Sequence, residues 1–315
     1  MTASIIVPSR STRHLLERCL PALVRAAEKA GGDHEIIVAD DGSRDDSAIF
    51  VRSHYPQVKL LPLHPAGFGR ACNTAALHAR GEVLVLVNSD VIVAPDFLPP
   101  LLGHLRDREV FSVGCKFLNP DGSLKNALGN HIRGEWRGGL LYLHHETDPR
   151  RLQHTCPQLF SPGGAMAVSR EKFLSLGGFD HLYRPFYWED VDLGYRAWKR
   201  GWRVIYEPNS VVYHDQGSTI RREADRGFIE RVSTKNAYLF VWKNVSDRRL
   251  LLRHFSQLPA RVAEDVLISG DGKYASALSL SLRQLSEVAR KRAAEKGRQL
   301  VSDLAVLAQA CGAER

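Results

Sequence analysis

"VLVLVNSDVIVAPDF", residues 83–97, sets five apolar residues against a short polar cluster ending in Asp90, then resumes with a second apolar run. Five consecutive Val and Leu residues cut off by turn residues form the pattern of a strand covered on both faces, as in a parallel sheet. A buried strand has no structural need of a carboxylate at its exit, so Asp90 is a site candidate from the start. Upstream, "SIIVPSR" (4–10), "EIIVADDGS" (35–43) and "VKLLPL" (58–63) repeat the form. Helical spacing separates them: Leu15, Leu16, Cys19, Leu20, Leu23 and Val24 follow the first strand. "FGRACNTAALHA" (68–79), expected to close at Gly81, leads into the strand at 83. Such alternation predicts an α/β fold with a mostly parallel central sheet, flanking helices and right-handed crossovers.

Further along, residues 119–160 are rich in Gly, His, Arg and Asn and are read as long loops covering a site. "GGAMAVS" (163–169) predicts a strand, "REKFLSLGGFD" (170–180) a short helix with a glycine stop, and "EDVDLGYRAWKRG" (189–201) a helix ending at Gly201. "WRVIYEP" (202–208) and "SVVYH" (210–214) predict two more strands. From residue 221 helical periodicity dominates, with Arg283, Arg290, Lys291, Arg292, Lys296 and Arg298 spread over the remaining surface.

The bulk properties narrow the function classes. The 315 residues are 44% apolar and 25% charged, which fits a globular chain and not a disordered one. No apolar stretch reaches the roughly 18–20 residues of a membrane span, and a strand pattern beginning at residue 4 predicts a chain without a signal peptide. Five scattered cysteines (Cys19, Cys72, Cys115, Cys156, Cys311), with no CxxC pair, are read as reduced thiols of a cytoplasmic protein. The net charge of +8 favours an anionic partner. Without a zinc finger, basic zipper or RNA-binding signature, nucleic acid is set aside in favour of a phosphorylated substrate or acidic lipid.

In open α/β sheets, ligands gather beyond the C-terminal ends of the strands. "PSR" (8–10), "DDGS" (40–43) and "NSD" (88–90) all fall there. They bring Asp40, Asp41 and Asp90 to one edge, where like charges cost free energy unless a cation or hydrogen-bond donor compensates. A second cluster, "FYWEDVDLGYRAWKRGW" (186–202), places Glu189 and Asp190 at a helix N-terminus, which the helix dipole alone favours. The preceding aromatic run, Phe186, Tyr187 and Trp188, suits a sugar-stacking wall. His214, at another strand exit, is positioned to share a metal with Asp90.

In order and spacing, "IIVPSR", "IIVADDGS", "FGRACNTAALHARGEVLVLVNSD", "SPGGAMAVSREKFLSLGGFD", "FYWEDVDLGYRAWKRGWRVIYEP" and "VVYH" resemble the family-2 glycosyltransferases of GT-A fold. The likeness runs from residue 4 to about 219 and is nearest to rhamnosyltransferase-like enzymes of bacterial cell-surface polysaccharide synthesis. The resemblance implies a catalytic domain over 1–220, with nucleotide-sugar binding in about 1–115 and acceptor binding in about 116–220, and a C-terminal helical region over 221–315. It implies an inverting transferase that takes a nucleotide-diphospho sugar, dTDP-rhamnose or a UDP-sugar, and uses Mg²⁺ or Mn²⁺. By position, Pro8, Ser9, Arg10, Asp40, Asp41, Gly67, Asn73, Asn88 and Ser89 would hold the donor, and Asp90 with His214 the metal. Asp190 would be the general base, with Glu189 beside it, and Gly163, Gly164 and Trp188 would face the acceptor, a glycan or lipid-linked glycan. One departure stands out: the family's metal motif is usually Asp-x-Asp, and Asn88 occupies the first position. An amide is a weaker ligand for a hard cation, so metal affinity is expected to be low. The retained Asp90, Asp190 and His214 weigh against an inactive binding module. A glycine-free "VPSRSTRH" (7–14) weighs against a nucleotidyltransferase. For the basic helical tail, the plain readings are packing on the catalytic domain or a homodimer interface. The functional one is peripheral contact with the anionic cytoplasmic leaflet.

Overall fold

The computed structural model describes residues 1–125, 130–214, 225–269 and 272–310. The predicted tail boundary at 220/221 and Cys311 lie outside them. Four parallel strands form the first half of the sheet: β1 (Ala3–Ser9), β2 (Glu35–Asp40), β3 (Lys59–Pro62) and β4 (Val83–Val87). All five residues of β4 are buried, as their unbroken apolar run requires. Helices α1 (Arg13–Ala30), α2 (Ser47–His54) and α3 (Phe68–His78) make the crossovers. The second half comprises β5 (Val91–Val93), β6 (Val110–Leu118), β9 (Cys156–Pro157), β10 (Ala165–Ser169) and β11 (Arg203–His214), with β7 (Ile132–Arg137) and β8 (Leu140–His145) forming a separate pair. The sheet order is β3-β2-β1-β4-β10-β6-β11-β5, with β9 on β11. β10 runs antiparallel to both β4 and β6, so its first residues lie beside the C-terminal end of β4.

Three local expectations change. Residues 132–145, read as loop, form an antiparallel hairpin in which Arg137 pairs with Leu140 across a two-residue turn. Gly138 and Gly139 have φ of 57° and 77°, the positive values that a tight hairpin turn of this hand requires. The strands expected at 202–208 and 210–214 are one strand, β11, whose register shifts between Glu207 and Val211. Such a bulge absorbs Pro208 without ending the strand. α3 ends at His78 with an extended residue after it, so Gly81 is no helix stop. A Cβ on Gly81 would lie 2.5 Å from the backbone nitrogen of Ser4 and 2.7 Å from the carbonyl carbon of Ala3. Close approach to β1 is what requires this glycine. Gly81→Ala is therefore expected to destabilise the protein by about 1–3 kcal/mol or more, read as a lowered Tm.

The tail is fused to the layer of helices on the sheet. Helix α6 (Glu189–Lys199) meets a long helix over Arg226–Asn244, α7 once α4 (Leu98–His104) and α5 (Arg170–Ser175) are counted. Tyr238, Leu239, Phe240 and Val241 of α7 are fully buried in the same apolar cluster as Val191, Leu193 and Trp198 of α6. Buried charge fixes the contact. Asp192 accepts from Arg196 Nε (2.7 Å), Lys243 Nζ (2.7 Å), Asn244 Nδ2 (2.8 Å) and Tyr183 OH (2.7 Å). Asp303 in turn binds Lys199 Nζ at 2.9 Å and Tyr195 OH at 2.6 Å.

This arrangement alters the reading of the basic tail. Lys291 Nζ is 2.7 Å from Asp180 Oδ1, and Arg292 Nη1 donates to the Trp242 carbonyl at 2.8 Å. Of the cations read as a membrane-facing cluster, Lys291 thus holds the tail to the rest of the molecule, Arg292 ties two helices of the tail together, and Arg290 is exposed. Among the described residues, no helix is long and apolar enough to cross a membrane.

Candidate active site

The exits of β1, β2 and β4 lie side by side, because Ser9 pairs with Asp40 and Ile6 with Leu86 in parallel register. The three aspartates there meet different fates. Asp40 Oδ1 accepts the Ser43 N–H at 2.9 Å. Asp41 accepts two backbone donors, Ala66 N–H on Oδ1 (2.7 Å) and Gly67 N–H on Oδ2 (2.9 Å). Its first task is therefore to shape the loop before α3. Asp90 faces His214, whose Nε2 lies 3.1 Å from Oδ2, while Asp90 Oδ1 is buried with no hydrogen-bond partner among the described residues. Donors thus compensate the charge at two of the three sites and leave an open acceptor at the third.

Lys125 Nζ sits 2.6 Å from His214 Nδ1 and donates to it, so the neutral ring carries its proton on Nε2, toward Asp90. Nε2 makes no well-formed hydrogen bond there. Handing it to a cation requires that proton to leave, or to move to Nδ1 with Lys125 displaced. Among the described residues no cluster of three or more His, Cys, Asp or Glu could enclose a metal. Asp90 and His214 offer one oxygen and one nitrogen donor, a set that suits a divalent cation whose other ligands come from substrate and water. The unpartnered Asp90 Oδ1 fits that use.

The carboxylate pair lies across from this edge. Asp190 Oδ2 accepts the Gly163 N–H at 3.1 Å and Oδ1 the Val191 N–H at 2.9 Å. The neighbouring Gly164 carbonyl accepts the Asn88 N–H at 2.9 Å. Two adjacent glycines therefore tie the helix carrying Asp190 to the strand exit carrying Asp90. Gly163 is tight, since a Cβ there would lie 3.2 Å from the Phe68 ring, whereas one on Gly164 would meet Asn88 Nδ2 at an ordinary contact distance of 3.5 Å. Burial, with the Asp190 charge second, pushes the Glu189 carboxyl up to about 8. Burial also raises Asp190, opposed by the Gly163 and Val191 amides. Glu189 Oε2 has no partner among the described residues. The two carboxyls thus differ: Glu189 is shifted toward its protonated form, while the Gly163 and Val191 N–H groups favour the charged form of Asp190.

A cleft of about 300 Å³ opens beside the pair, lined by residues including Arg10, Gly67, Phe68, Arg70, Arg184 and Glu189. Arg10 and Gly67 were expected there; Arg70 and Arg184 carry no motif that would have singled them out. Ser9 Oγ is 2.8 Å from Thr12 Oγ1, Pro8 is half-buried on β1, and Ser89 is buried beside Asp90.

Two residues expected to face substrate have partners within the protein. Asn73 turns both ends of its amide to Phe179, donating from Nδ2 to the carbonyl and accepting the N–H on Oδ1, both at 2.9 Å. It braces α3 against residues 178–180, so its oxygen and one of its N–H groups are engaged within the protein. Trp188 is only 8% exposed, its ring 5.3 Å from Phe240 and its Nε1 donating to Ser233 Oγ at 3.3 Å. Its indole packs against α7, so it is no stacking wall for a sugar.

The glycosyl transferase family 2 model matches residues 4–176, more than half of the chain. N-acetylgalactosaminyltransferase 7 of Drosophila melanogaster is 32% identical over 198 residues, 58% of this chain and 34% of that protein. The chain thus spans about a third of that relative's length. N-acetylglucosaminyl-diphospho-decaprenol L-rhamnosyltransferase of Mycobacterium tuberculosis is 29% identical over 233 residues, 66% of this chain and 74% of that protein. Among solved structures, GalNAc-T7 with UDP, GalNAc and Mn²⁺ superposes with a TM-score of 0.62 at 18% identity, covering 94% of this chain and 57% of that one. That likeness establishes the shared GT-A architecture.

Proposed function

The chain belongs to glycosyl transferase family 2, and from that premise we propose that it moves a sugar from a nucleotide-diphospho sugar to an acceptor hydroxyl in one inverting displacement. The observation that carries this is the Gly163–Gly164 bridge, which sets a carboxylate opposite a strand edge with an open acid group. Asp190 takes the proton of the attacking hydroxyl, a contribution of about 10²–10⁴-fold. Glu189, still protonated, spares the pocket a second negative charge. Ser9, Arg10 and the loop fixed by Asp41 border the donor. Asp90 and His214 would hold Mg²⁺ or Mn²⁺, which supplies positive charge beside the departing diphosphate.

The names of the similar proteins support a UDP-sugar or an activated rhamnose, such as dTDP-rhamnose, as donor, and a lipid-linked glycan as one acceptor class. Lipid-linked acceptors would place the enzyme against the cytoplasmic leaflet. Lys291 and Arg292 are engaged within the protein, so any contact with anionic lipid falls to exposed cations such as Arg290 and Arg298.

A panel of nucleotide sugars, each with Mn²⁺, tests the reading through thermal stabilisation. A Tm rise confined to one nucleotide class, followed by transfer from that donor, is expected. No stabilisation by any nucleotide sugar, or pyrophosphate release from a nucleoside triphosphate and a sugar phosphate, would overturn it.

A further inference from the structure

The segment delivering Glu189 and Asp190 is held from outside the sheet. We propose that Asn236, assisted by Lys235 and Ser233, is a positioning residue for that carboxylate pair, which makes the C-terminal helix α7 part of the catalytic apparatus. The inference rests on Asp190 being the base.

The backbone before the pair is strained. Tyr187 and Trp188, consecutive bulky residues, have φ of 66° and 78°. Side chains of this size rarely adopt left-handed backbone, and such conformations persist only where the surroundings over-determine them. α7 provides that constraint. Asn236, fully buried, donates from Nδ2 to three carbonyls: Tyr183 at 2.7 Å, Phe186 at 2.9 Å and Tyr187 at 2.9 Å. Its Oδ1 has no partner among the described residues, so the side chain acts purely as a donor. Turning the amide over would set an oxygen against three oxygens. One turn of the same helix adds Lys235 Nζ, donating to the Arg184 carbonyl at 2.7 Å, and Ser233 Oγ, accepting from Trp188 Nε1 at 3.3 Å. Three residues of α7 thus grip the backbone or ring of residues 183, 184, 186, 187 and 188. Tyr183, Arg184 and Glu189 all line the cleft.

α7 does not depend on these bonds for its own place. Tyr238, Leu239, Phe240 and Val241 bury it, and Lys243 and Asn244 bind Asp192. Loss of the grip should therefore release the strained segment and leave the helix seated.

Asn236→Asp preserves shape and turns the donor into an acceptor facing three carbonyls. The expected result is a fall in kcat of about 10²-fold, the scale of a misplacement near 1 Å. Donor affinity should stay within a few-fold of the unaltered protein, and the acid limb of the kcat–pH profile should move. Ser233→Ala, a milder change, should act in the same sense with a smaller fall. A folded Asn236→Asp protein with unaltered kcat and profile would overturn the proposal. If Asn236→Asp does not fold, an unaltered kcat and profile in the combined Ser233→Ala, Lys235→Met variant would overturn it instead. Asp190→Asn, measured alongside, separates the two levels. Turnover retained there removes the base and with it the purpose of the clamp. Turnover lost there but retained in Asn236→Asp removes the clamp alone.

Discussion

Asp190→Asn is expected to lower kcat for sugar transfer by about 10²–10⁴-fold while leaving nucleotide-sugar affinity nearly unchanged. In the proposed mechanism this carboxylate is the negative member of the pair, the form that the Gly163 and Val191 amides favour. Asparagine keeps the shape and one of those bonds, but it cannot take a proton from a hydroxyl. Its missing charge also acts on Glu189. Asp190 is the second cause, after burial, of the rise of Glu189 to about 8, so that value should fall in the variant. The sign for stability follows. A carboxyl raised from an ordinary 4.5 to about 8 on folding makes the folded state lose stability as pH climbs through that window. Asp190→Asn should therefore flatten the decline in Tm between about pH 5 and 8. Stopped-flow or steady-state transfer assays together with thermal melts across that range check both halves. Near-normal turnover in a folded variant would exclude Asp190 as the base.

Much of this geometry was legible in the chain because strand exits are written locally. β4 announces itself by five apolar residues, and parallel pairing places its exit beside those of β1 and β2. The hairpin at 132–145 was not read, although the Gly138–Gly139 turn was its signal. Arg133, Glu135 and Arg137 do alternate with Ile132, Gly134 and Trp136, but the run is short and the partner stretch Leu140–His145 has no alternation to match it. Motif position located Asn73 and Trp188 but not their direction. Each turns into a contact with a residue about 50 to 100 positions away, Ser233 for Trp188 and Phe179 for Asn73. The same limit hid α7. Lys235, Asn236, Lys243 and Asn244 are buried polar residues whose partners lie about 50 residues back, so helical periodicity could place the helix but not explain its polar face. Local pattern fixes elements, whereas the direction of a side chain is settled by what packs against it from elsewhere in the chain.

Asp90→Ala is expected to abolish metal-dependent transfer and to remove the stabilisation that Mn²⁺ with a nucleoside diphosphate gives the unaltered protein. The three aspartates of the strand edge differ in one respect. Asp40 and Asp41 have backbone donors on their carboxylates, and Asp90 retains a buried oxygen with none among the described residues. An acceptor left in that state costs free energy without a ligand and regains it when a cation arrives. Removing it should thus leave the metal-free Tm unchanged or slightly raised, the opposite of what loss of a purely structural aspartate would do. With alanine there, His214 alone remains, and its Nδ1 is already committed to Lys125. The loss in kcat should be at least the roughly 10²–10³-fold typical of deleting one group that stabilises a developing negative charge. Asn88→Asp supplies the converse. A second carboxylate on the same strand exit adds a hard oxygen ligand, so half-saturation should occur at lower metal concentration than in the unaltered protein. Calorimetry of Mn²⁺ binding with the nucleoside diphosphate present reads both variants independently of turnover. Full activity after exhaustive chelation, or unaltered Mn²⁺ binding in Asp90→Ala, would show that the open oxygen of Asp90 serves something other than a cation.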